Sequence, residues 1–100
     1  MRAVPLDTYL VDTLMRDLAG HDRSPAAFVL YLYLWRQTHA LRTHKAALSL
    51  QAVANGTGLS KSAVQAGMRL LRRRKLITVT KTAPTAVPVY EVLRPWAARS

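Results

Sequence analysis

Gln65 and Arg69 stand four residues apart in SKSAVQAGMRLLRRRK, residues 60 to 75, a segment without a single acid. A glutamine amide has the donor and acceptor geometry to read an adenine edge, and an arginine fork can take guanine in a bidentate contact. Around them Ser62 can bond a base or a phosphate, whereas Ala66 offers only apolar contact, for instance with a thymine methyl. Ser60, Lys61, Arg72 and Arg73 complete a candidate set for holding a phosphate-rich polymer. The bland alternative for Gln65 and Arg69 is a solvated helix face, against which stands the lack of any neighbouring acid to balance the cations.

The charge pattern extends well beyond this segment. No Asp or Glu occurs from Arg23 to Tyr90, and eleven Lys or Arg do, so the positive field of that stretch is not cancelled locally. A net charge of +10 and a sequence pI near 11.2 point to nucleic acid or an anionic membrane, which composition alone does not separate. The longest apolar run, Ala26 to Trp35, is about half of what a bilayer crossing needs. We therefore expect nucleic acid as partner, no membrane association, and no secretory signal in MRAVPLDTYLVD, which acids interrupt early. The expected location is the cytoplasm, at the nucleoid.

One hundred residues, half of them hydrophobic, suit one small domain. The chain has no cysteine, hence no disulfide, thiolate nucleophile or cysteine-ligated zinc. His21, His39 and His44 have no close metal-ligand spacing, so no metal is expected. No carboxylate pair stands in the basic body, and no glycine-rich phosphate loop is present. No enzyme activity, cofactor or small-molecule ligand is expected.

The elements that must position these residues follow from local signals. Asp7 can cap a first amphipathic helix with Leu10, Val11, Leu14, Met15 and Leu18 on its apolar face and Gly20 as its stop. This head holds Asp7, Asp12, Asp17 and Asp22, four of the five acids, and should face away from DNA. Ser24 and Pro25 open a second helix, apolar nearly all round, which should be the spine of the domain, although YLYLW alone could pass for a strand. Arg42 to Lys45 reads as a loop and Ala46 to Leu48 as a very short strand. Ser49 caps a helix over about 50 to 56, Gly58 supplies the left-handed position of a tight turn, and Ser60 caps a helix running through about Arg74. LITVTK alternates Ile77 and Val79 with Thr78 and Thr80, TAPTA turns, and VPVYEVL returns, giving a β-hairpin over 76 to 93.

At about 100° per residue, a helix over 61 to 74 places Val64, Gly67, Met68 and Leu71 on one side and Ser62, Gln65, Ala66, Arg69 and Arg73 on the other. Arg72, Arg73, Arg74 and Lys75 fan out around the axis, so about two of them reach phosphate, while Arg74 and Lys75 can equally complement the helix C-terminus. Gly67 suggests a close approach of the spine helix, with a flexible helix as the competing explanation.

Helix, short strand, helix, turn, helix, hairpin, with Ala54, Gly58, Leu59, Ser60, Val64, Leu71 and Leu76-Ile77 at their places, resembles the winged helix-turn-helix family of bacterial and phage DNA-binding regulators over roughly residues 24 to 94. The resemblance implies a mainly α fold with a small β-hairpin wing and an extra N-terminal helix. The divisions are 1–22 as the extension, 23–95 as the DNA-binding domain and 96–100 as a tail anchored by Trp96. It implies double-stranded DNA as partner with a helix over about 60–74 in its major groove, transcriptional regulation, and a wing tip at Lys81, Thr82 and Thr85 touching the minor groove or backbone. A solvated hairpin tip is the alternative for these three. Ser49 and Gln51 open the first motif helix, where N–H groups can meet a phosphate, though Ser49 also serves as a cap. Many family members have glycine where this chain has Lys75, and a left-handed backbone there would cost about 1 kcal/mol. A homodimer is expected, a monomer being the nearly equal alternative. A replication or partition protein of a plasmid or phage, a structured-RNA binder and a protein-interaction module are the other readings of the same pattern.

Overall fold

Ser24 Oγ accepts the Ala27 N–H at 3.2 Å, and Pro25 follows at the first helical position, where its missing N–H costs nothing. From this cap, in a computed structural model that describes residues 2–97, helix α1 runs over Pro25–Gln37. YLYLW is helical, and Ala27, Phe28, Leu30, Tyr31, Leu34 and Trp35 are buried, so α1 is the spine. A short turn at His39–Leu41 leads to strand β1, Lys45–Ala47, one residue earlier than its pattern suggests. Helices α2, Leu50–Thr57, and α3, Lys61–Arg73, are joined by Gly58, Leu59 and Ser60. Gly58 adopts φ +77, the left-handed backbone that a side chain would strain.

Strands β2, Ile77–Thr80, and β3, Val89–Val92, pair antiparallel with Val79 opposite Tyr90. Strand β1 adds to the other side of β3, giving the order β1-β3-β2. The protein is thus mainly helical with a small three-stranded antiparallel sheet. Tyr90 and Val92 face the core and Glu91 the opposite side, between Lys45 and Thr78 of the flanking strands.

The head departs from its expected form. Over Leu10–Leu14 and Arg16–His21 the backbone winds in wide turns, with Met15 N–H bonded to Leu10 O and Asp22 N–H to Asp17 O, five residues apart. Leu10, Leu14 and Leu18 are buried in the same core as α1, whereas Val11 is 51 % and Met15 39 % exposed, so the apolar face is narrower than expected. Asp7 makes no side-chain cap. Its carboxylate is drawn away to the far end of the chain, accepting from Arg94 Nε at 2.9 Å and Trp96 Nε1 at 3.0 Å. Gly20 is not the stop either, because winding continues through His21 and the reversal falls at Arg23, with φ 54.

These contacts tie both ends to the spine. Trp35 Nε1 donates to Pro5 O at 2.9 Å, and the Tyr31 hydroxyl donates to Leu93 O at 2.7 Å. Tyr9 stacks on Trp96 with ring centroids 4.5 Å apart, so Trp96 anchors the C-terminal turn as expected. The rest of that segment, 98–100, lies outside the described residues.

Candidate nucleic-acid interface

Helix α3 is positioned by its buried side. Val64, Gly67, Met68 and Leu71 are all buried, as the wheel requires. At Gly67 a Cβ would run into Leu30 Cδ1 and lie 3.5 Å from Ala27 Cα, so the close approach of the spine is real. With that side fixed against α1, the opposite side has no choice but solvent. Lys61, Ser62, Gln65, Ala66, Arg69, Arg72 and Arg73 are exposed.

The start of α3 is built by Ser60, whose Oγ accepts the Ala63 N–H at 3.1 Å and lies 3.2 Å from Ser62 Oγ. Its end is a left-handed cap. Leu76 N–H bonds Leu71 O at 2.9 Å, Lys75 N–H bonds Arg72 O at 3.0 Å, and Lys75 adopts φ 58. This is the paired arrangement that glycine usually closes, here closed by a lysine at a cost of about 1 kcal/mol. Arg74 turns to the head, its Nε 3.3 Å from Asp22 Oδ2, a partner that the sequence reading did not name for it.

Between α3 and the hairpin lies an open groove of about 370 Å³. Gln65, Arg69 and Arg72 from α3 meet Lys81 from the end of β2 along it, over a floor that includes Met68, Val79 and Tyr90. None of the lining residues is acidic. Strand alternation explains part of this: with Tyr90 toward the groove, Glu91 must point to the other side of the sheet. Burial pushes the Tyr90 phenol above its ordinary value, so it stays neutral and adds no negative charge here.

The remaining candidates are dispersed. Thr82 and Thr85 are exposed in the hairpin turn but do not line the groove, nor does Arg73. Ser49 caps α2 by accepting the Ala52 N–H at 3.0 Å, and the Gln51 amide donates to Asn55 Oδ1 at 2.8 Å, so both side chains have bonds inside α2. Leu50, between them, reaches the groove. Leu50, Pro88 and Tyr90 were not among the candidates from sequence. Nothing local marks them, since they come together only through the β1-β3-β2 pairing and the seat of α2.

A run of cations and one amide on a convex helix, beside a cationic groove, offers donors to phosphates and base edges. Among the described residues no group of three or more His, Asp or Glu gathers at metal-binding distance, and no helix is long and apolar enough to cross a membrane. No protein-family model, curated protein or solved structure matches the chain.

Proposed function

We propose that the protein is a winged helix-turn-helix DNA-binding regulator that lays α3 in the major groove of a duplex. The observation that carries this reading is the convergence of Gln65, Arg69, Arg72 and Lys81 on one acid-free groove beside the exposed side of α3. Gln65 and Arg69 read base edges, while Arg72, Arg73 and Lys81 meet phosphates and set the register. Ser62, nearer the N-terminus of α3, and Ala66, between Gln65 and Arg69, lie on the same exposed side. Binding is the whole mechanism, with no chemical step and no cofactor, and the site of action is the nucleoid.

Pairing of two copies belongs to the same reading. Two bodies of net charge +10 repel, and the head, with four of the five acids and the exposed Val11 and Met15, is where they meet at least cost. A light-scattering mass of one chain at tens of micromolar, free and on a palindromic duplex, would remove the dimer.

Fluorescence anisotropy with a labelled duplex tests the function directly. With about 4 to 6 phosphate contacts, log affinity falls against log salt with a slope of about −4 to −5. Replacing Arg69 and Gln65 together by alanine lowers affinity for a selected site by about 2 to 6 kcal/mol and flattens sequence preference. Affinity that ignores salt, or that survives the double replacement, overturns the proposal.

A further inference from the structure

A second cleft of about 390 Å³, which shares no lining residue with the groove, opens where the head, the C-terminal turn and the end of α3 meet. Its size falls among clefts that hold small organic molecules, about 300 to 1,000 Å³. Leu14 and Leu76, both nearly fully buried, form an apolar base. Tyr9 and Trp96 form an aromatic wall, stacked at an interplanar angle of 16° and held in place by the Trp96 indole bond to Asp7.

Two opposite charges complete the lining. Asp17 is half-buried and, among the described residues, its carboxylate has no ion-pair partner. Arg74 Nε lies 3.3 Å from Asp22 Oδ2, an ion pair without a hydrogen bond to that oxygen, and a guanidinium carries five donors, so its fork has donors left for the cleft that it lines. We propose that this cleft binds a free α-amino acid with an apolar side chain. The ligand's carboxylate meets Arg74, its ammonium meets Asp17, and its side chain lies on Leu14, Leu76 and the Trp96 face.

The pairing of charges selects the ligand class. A simple organic anion would be attracted by Arg74 and repelled by Asp17. A neutral apolar molecule would desolvate both without bonding either, which is costly for each charge. An internal peptide segment lacks both α-groups, and a peptide terminus offers only one of them. The site stands apart from the exposed side of α3, and its occupancy is measured with no DNA present, so its failure leaves the DNA proposal untouched.

The experiment is amide and indole chemical-shift titration of the full chain with L-phenylalanine, L-phenylalaninamide and 3-phenylpropionate. The expected result is saturable binding of phenylalanine, with shifts at Leu14, Asp17, Arg74, Leu76 and the Trp96 indole, and at least about tenfold weaker binding of the two analogues, each of which leaves one charge unpaired. Asp17→Asn and Arg74→Gln, checked for folding by circular dichroism, should each weaken phenylalanine by about tenfold or more. The two analogues probe the unaltered protein, so the result does not hinge on the variants. No shift at about 10 mM phenylalanine, a concentration that half-fills a site with a Kd of about 10 mM, equal binding of all three compounds, or shifts confined to the α3 groove overturns the proposal.

Discussion

The head and the α2–α3 unit are both helical and both feed one core, yet they are held in different ways. In α2 and α3 each start is a serine bonded to its own helix, at Ser49 and Ser60, and the link is a glycine that accepts a left-handed backbone at no strain. The head has no side-chain cap at either wide turn. Its order comes from elsewhere: Leu10, Leu14 and Leu18 in the core, Pro5 O on the Trp35 indole, and Asp7 on Arg94 and Trp96. Local bonding makes an element legible and autonomous, while borrowed contacts make it conditional on the rest of the chain.

The strongest way to break that contrast is to remove core contacts from each region in turn. Leu18→Ala and Leu71→Ala, both at sites with 0 % exposure, should each cost about 2 to 5 kcal/mol in urea unfolding. A head that peels away separately would instead give Leu18→Ala a small effect and a second transition. Gly67→Ala should cost about 1 to 3 kcal/mol by overpacking against the buried Leu30 side chain, offset by about 0.5 to 1 kcal/mol that alanine gains over glycine in a helix. A stabilised variant would show that the α1–α3 approach is slack.

Tyr31 sharpens the link between the spine and the chain end. Burial, with the Asp7 charge second, pushes its phenol well above the ordinary value of 10.0. Because the folded state disfavours the phenolate, this contribution is intact below about pH 10 and fades as pH rises past it. Tyr31→Phe, which loses the bond to Leu93 O, should cost about 0.5 to 1.5 kcal/mol at neutral pH and should lessen the alkaline loss seen in stability measured from pH 8 to 11, about the span of an ordinary phenol titration. The smallest expected effect is a gain. Lys75→Gly relieves the left-handed strain at the α3 end and should raise stability by about 0.5 to 1 kcal/mol, read as a higher Tm, less the greater chain entropy of glycine when unfolded.

Much of the candidate site was legible because its signals are local. The wheel of α3 separated Val64, Gly67, Met68 and Leu71 from Gln65 and Arg69 correctly, since one buried side on a rigid 3.6-residue period dictates the other. The same approach failed for the head. Its leucines fit an ordinary amphipathic helix as well as a wide-wound one, and Asp7 reads as a cap until a chain end some ninety residues away offers it Arg94 and Trp96. The groove partners Leu50, Pro88 and Tyr90 carry no sequence mark of their own.

By itself, then, the order of residues determined the caps, the left-handed turn at Gly58, the alternation of the hairpin, the core side of α3 and the acid-free basic stretch. Each depends on hydrogen bonds or periodicities spanning a few positions, or on composition. Only tertiary structure decided that Lys81 would meet Arg69 and Arg72, that Glu91 would face away from them, how the head winds, and that Asp17 and Arg74 would share a cleft. Those outcomes rest on packing between segments far apart in the chain, where the lowest free energy is set by the whole core and by no single stretch within it.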